Sequence, residues 1–64
     1  MYRLIITDAD NTIYKMFFNY IRFARNAAIA AFNVPNTKSV TIATKRGKVK
    51  FYQNKMRPQE VWIN

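Results

Sequence analysis

Residues 12–32, TIYKMFFNYIRFARNAAIAAF, decide how the rest of the chain is read. Laid on a helix, Ile13, Met16, Phe17, Tyr20, Ile21, Ala24, Ala27, Ala28 and Ala31 fall on one side. Their recurrence at i, i+3, i+4 and i+7 is that of a core-facing stripe. The spacing predicts one long amphipathic helix from Thr12 to Phe32. Its bulk tapers from aromatic and Ile to Ala, so its C-terminal half can approach a sheet closely. Lys15, Asn19, Arg22, Arg25 and Asn26 break the apolar run well short of the roughly 20 residues a membrane span needs.

On the N-terminal side, Tyr2 to Thr7 is β-rich and reads as a first strand. Tyr2, Leu4 and Ile6 are expected to face the helix, leaving Arg3, Ile5 and Thr7 on the other face. Asp8-Ala9-Asp10-Asn11 is rich in capping residues, which places Asp10 or Asn11 at the helix N-cap. On the C-terminal side, Asn33-Val34-Pro35-Asn36 stops the helix, because the residue before proline avoids the helical region. Two further strands follow, within Thr37–Thr44 and over Lys48–Gln53. The single glycine, Gly47, suggests a two-residue Arg46-Gly47 hairpin loop. That register sets Thr44 against Val49, Ile42 against Phe51 and Val40 against Gln53. It also sets Lys45 against Lys48, an unfavourable opposition that a bound anion would relieve. Pro58 is taken to end the third strand. Val61-Trp62-Ile63 is an edge strand or a docked turn, with Trp62 either finishing the core by covering Ile5 or serving as a partner-binding anchor.

The expected class is therefore α+β: one domain spanning residues 1–64, a β-α-β-β arrangement with a helix across a three-stranded, mostly antiparallel sheet. The preferred order puts the third strand between the other two, with a right-handed crossover from the first strand to the second. The alternative sets the first and second strands side by side and parallel.

Leu4-Ile5-Ile6-Thr7-Asp8-Ala9-Asp10-Asn11-Thr12-Ile13 resembles the first motif of the haloacid dehalogenase-like phosphohydrolases. The resemblance implies a nucleophilic Asp8, an Asp10 acid/base and a Mg²⁺ ion beside both. It covers about ten residues. The same family pattern also requires later acidic metal ligands, and beyond Asp10 the only acid is Glu60. Capping by short polar residues after a strand is the simpler account of the motif. With no His and no Cys, neither a Ser/His/Asp nor a Cys/His set can form. One glycine cannot build a phosphate-cradling loop. The expectation is a non-enzymatic protein with no cofactor and no metal.

Charge is the strongest functional signal: eleven Lys and Arg against three acids give a net +8. Most of that excess lies after residue 33, where seven cations face only Glu60. Lys45, Arg46, Lys48 and Lys50 cluster at the hairpin, with Tyr52 in line and Arg3 on a neighbouring strand. Cations neutralise phosphates and an exposed aromatic stacks on a base, so these six residues are the candidate nucleic-acid surface. The competing account is a soluble, self-repelling surface whose lysines guard a sheet edge.

Phe18, Arg22, Arg25 and Ile29 lie off the helix's core stripe and form a candidate protein interface, since aromatic plus Arg is a hot-spot composition. The leading function is thus binding of RNA or DNA through backbone phosphates. The alternative is a compact effector or inhibitor, of the kind a viral or phage genome encodes, docking on an acidic protein surface. No membrane association is expected, the compartment is read as cytoplasmic, and a homodimer stays open because a cysteine-free chain this short has little else to reinforce it.

Overall fold

The computed structural model describes residues 1–62, with side chains through residue 56. It is a small α+β domain in which one helix lies on an antiparallel sheet. The elements are β1 (Tyr2–Asp8), β2 (Ile13–Phe18), α1 (Ile21–Phe32), β3 (Thr37–Thr44), β4 (Val49–Asn54) and β5 (Arg57–Trp62). The sheet order is β2-β1-β3-β4-β5, and every neighbouring pair is antiparallel.

The largest departure from the expected fold is in residues 12–18, which form a strand and not the first turns of the helix. The reason is the preceding turn. Asn11 N–H donates to the Asp8 carbonyl at 2.9 Å and Asp8 N–H to the Thr12 carbonyl at 2.9 Å. Asn11 sits at φ +68°. That is a three-residue hairpin loop, a β-turn followed by one left-handed residue, a conformation Asn tolerates better than most. Asp10 accepts from Thr12 N–H at 3.1 Å and so caps the turn, not a helix. Neither Asp10 nor Asn11 is the helix N-cap. That position is Tyr20, with φ −123° and ψ 137° and no side-chain cap.

The β3–β4 hairpin repeats the design. Gly47 N–H donates to the Thr44 carbonyl and Thr44 N–H to the Lys48 carbonyl, each at 2.8 Å, with Gly47 at φ +86°. The loop is Lys45-Arg46-Gly47, one residue longer than expected. Ala43 therefore pairs with Val49, and Thr44 does not. A bulge between Ile42 and Ala43 then restores the expected pairs Ile42–Phe51 and Val40–Gln53. Lys45 sits in the loop and no longer opposes Lys48.

Open space surrounds the position a Gly47 Cβ would take, so Gly47→Ala tests the backbone alone. It should cost about 1–2 kcal/mol, read as a lower melting midpoint with unchanged circular dichroism. Asn11→Ala should cost a similar amount.

Because β1 and β2 form a hairpin, β1 runs antiparallel to β3: the preferred strand order fails, and the alternative holds in the adjacency of the two strands but not in their direction. The strands flanking the helix in sequence are β2 and β3, parallel to one another on either side of β1. The middle strand of this split β-α-β unit is thus the first of the chain, and the expected first-to-second crossover does not exist. Of the two readings of the C-terminal segment, the edge strand holds over Val61 and Trp62: β5 pairs antiparallel with β4, but it begins at Arg57 and contains Pro58 within it. The expected Trp62 contact with Ile5 falls on a side chain outside the described residues.

The core lies between α1 and the centre of the sheet. Leu4, Val40, Ile42 and Phe51 are fully buried with Ala24 and Ala28 of the helix. Ala24 and Ala28 are one helical repeat apart, and their small side chains let α1 settle closely on β1 and β3. The second half of the sequence stripe is therefore correct. Its first half (Ile13, Met16 and Phe17) is on β2 and exposed. At the other end of the helix, the Lys55 ammonium donates to the Val34 carbonyl at 2.6 Å and lies 5.4 Å from the centre of the Phe32 ring. Lys55 thereby ties β4's end to the loop after the helix. Among the described residues no helix is long and apolar enough to cross a membrane.

Candidate nucleic-acid interface

The β1–β3 pairing sets Tyr2 beside Thr44 and Arg3 beside Ala43, which brings the start of β1 to the β3–β4 loop. The loop carries Lys45 and Arg46, Lys48 stands at its exit, all three exposed, and Lys50 follows half-buried at the bulge. A surface depression of about 320 Å³ is lined by Met1, Tyr2, Thr44, Lys45, Arg46, Lys48 and Lys50. A smaller one of about 80 Å³ adjoins it, lined by Met1, Tyr2, Arg3, Phe17 and Lys45. Five of the six residues expected to bind nucleic acid thus meet at one corner of the sheet.

The electrostatics of this corner are one-sided. Among the residues whose side chains are described the carboxylates are Asp8 and Asp10, both at the far end of β1. At that end Lys38 donates to the Asn11 side chain at 3.4 Å, and Lys55 is engaged with the helix end. Thr12 N–H holds the Asp10 carboxyl below its ordinary pKa, so it remains ionised there. Asp8 in turn holds the Tyr14 phenol above its ordinary pKa, because ionising Tyr14 would set two negative charges together. Among the residues whose side chains are described, no carboxylate lies beside the basic corner. Moreover, the Arg3 Nε is buried with no hydrogen-bond partner. A dry cationic donor is costly, and an anion in the adjoining depression would satisfy it.

Tyr52 is the expected residue that does not join the corner. It pairs with Thr41 further along the sheet, half-buried, and its hydroxyl accepts a 2.7 Å hydrogen bond from the Asn54 amide. Tyr2 at the corner is half-buried, and the exposed aromatic there is Phe17, opposite Arg3. Sequence reasoning assigned Phe17 to a helical core stripe. Reading Asp8-Ala9-Asp10-Asn11 as a hairpin turn would have placed it beside Arg3.

The candidate protein interface is broken up in the same way. Phe18 is on β2, half-buried and packed against the core, and not on the helix with Arg22, Arg25 and Ile29. Those three remain exposed on α1. Tyr20 and Phe23, both exposed, pack edge-to-face at 5.9 Å, and the Arg22 guanidinium lies 5.0 Å from the centre of the Phe23 ring.

The acidic motif that resembles a phosphohydrolase signature is a hairpin loop, with Asp8 ending β1 and Asp10 bonded to Thr12. Among the described residues no three His, Cys, Asp or Glu side chains gather where they could hold a metal ion. Comparison with protein-family models, with curated proteins and with solved structures finds no match to this chain.

Proposed function

We propose that this chain is a small non-enzymatic nucleic-acid-binding protein that grips backbone phosphates at the basic corner. The observation that carries the reading is the meeting of Arg3, Lys45, Arg46, Lys48 and Lys50 around two depressions with no described carboxylate beside them. Lys and Arg on a polyanion displace condensed counterions, and the corner's open shape suits a backbone more than an enclosed small molecule. Phe17 supplies a ring for an unpaired base, which favours single-stranded over duplex ligands.

Fluorescence anisotropy with labelled single-stranded RNA, single-stranded DNA and duplex DNA tests this. Five phosphate contacts on a single strand imply that log K falls with log salt with a slope of about −3.5, hence about a hundredfold weakening between about 50 and 200 mM. Absence of binding at low salt would sink the proposal. A second reading draws on the exposed Tyr20, Arg22 and Phe23 group: a compact effector or inhibitor that docks on an acidic protein through the helix face. It predicts a partner lost on Phe23→Ala and indifferent to changes at Lys45.

A further inference from the structure

The two edges of the sheet are unlike. β5 has the sequence RPQEVW, whose charges and proline are the usual means of blunting an edge. β2 has the sequence IYKMFF, with neither proline nor acid and with Lys15 as its one charge. Its exposed apolar residues lie on both faces: Ile13 (58%) and Phe17 (62%) on one, Tyr14 (50%) and Met16 (45%) on the other.

The hairpin fixes which backbone groups are free. The bond from Asp8 N–H to the Thr12 carbonyl makes Asp8 and Thr12 a hydrogen-bonded pair. Antiparallel ladders alternate, so Tyr14 and Met16 turn their N–H and C=O groups to β1. Ile13, Lys15 and Phe17 turn theirs outward.

We infer that β2 pairs antiparallel with β2 of a second copy, joining two sheets into one across a two-fold axis at Met16. Opposed residues in a continuous sheet share a face, so a symmetric pairing must centre on a residue. Centring on Lys15 opposes two like charges. Centring on Phe17 runs past the strand end at Phe18. Centring on Met16 matches Tyr14 with Phe18 and Lys15 with Phe17, and each Lys15–Phe17 pair closes two backbone hydrogen bonds.

A second copy is the partner because the strand satisfies itself in this register, with its single cation set against an aromatic ring. The net +8 of each copy does not forbid it. The two β3 strands would lie five interstrand steps apart, about 24 Å, or more than two Debye lengths at physiological salt. The partner copy also contributes to the basic corner, because Lys15 of the partner subunit comes to lie beside Phe17. Dimerisation itself does not depend on nucleic acid and is measured without it.

Sedimentation equilibrium on the purified chain should show a monomer–dimer equilibrium. Lys15→Pro removes an outward-facing donor while sparing the β1 ladder, and should leave a folded monomer by circular dichroism. The chain has no cysteine, so single cysteines report the register. Met16→Cys meets its own copy in a non-hydrogen-bonded pair with Cα atoms about 4.5 Å apart, within disulfide reach, and should cross-link on oxidation. Lys15→Cys, offset from its copy by two residues, should not. A monomer at every concentration, an open-ended aggregate, or cross-linking of Lys15→Cys in place of Met16→Cys would each overturn the inference.

Discussion

Reversing two charges at the hairpin tip, Lys45→Glu with Lys48→Glu, should lower affinity for single-stranded nucleic acid by at least a hundredfold while leaving the fold intact. Each lost charge-assisted contact is worth about 1.5–3 kcal/mol, and the new carboxylates add repulsion. Both positions are exposed, at the loop and its exit, so the stability cost should stay within about 0.5 kcal/mol. The substitutions take the net charge from +8 to +4, since each reversal removes two units. Arg22→Glu with Lys38→Glu makes the same change away from the corner. If phosphates are held locally, that control should weaken binding only mildly, and the slope against log salt should flatten only for the hairpin variant. Equal losses from both pairs would mean that bulk charge, not this corner, attracts the ligand.

The corner was legible in the sequence because its residues are close along the chain or follow from one register. Lys45 to Lys50 span a single hairpin, and Gly47 marks its turn whether the loop has two residues or three. Arg3 joins them because β1 is paired with β3, which sets Arg3 opposite Ala43 near the hairpin. Phe17 was not legible. Its strand carries apolar side chains on both faces, so it has no period of two, and its spacing onto the true helix happens to continue the helical stripe. What decides the matter is local: a left-handed Asn11 closes the β1–β2 turn, a feature that composition presents equally well as a helix cap. The real helix start is hard to see for the opposite reason, since Tyr20 caps it with no side-chain hydrogen bond. The edge strand β5 hides behind Pro58, which is tolerated at an edge and excluded from a central strand. An error of one residue in the hairpin loop left the core pairs untouched because the bulge at Lys50 offsets it.

The β2 assignment itself yields the second large effect, through a comparison of three phenylalanines. Phe51, opposite Ile42, is fully buried in the core, and truncation to Ala should cost about 3–5 kcal/mol. A 64-residue domain has a total stability of only about 3–10 kcal/mol, so Phe51→Ala should leave a large unfolded fraction at room temperature. Phe17 and Phe18 then discriminate strand from helix. On a continuous helix Phe17 belongs to the core stripe and Phe18 points away. On β2 the order inverts: Phe18, opposite Tyr2, packs against the core, and Phe17 is exposed. Phe18→Ala should therefore cost about 1–3 kcal/mol and Phe17→Ala less than about 1. Urea melts of the three variants measure the ranking, with Phe51 first, Phe18 second and Phe17 last. Since Phe17 is also the proposed base-stacking ring, Phe17→Ala should weaken single-strand binding by about 1–3 kcal/mol. A stable fold with weakened binding at Phe17 ties the β1–β2 hairpin to the ligand. The reverse pattern, with Phe17 essential to stability and Phe18 dispensable, would return residues 12–18 to the helix and dismantle the corner.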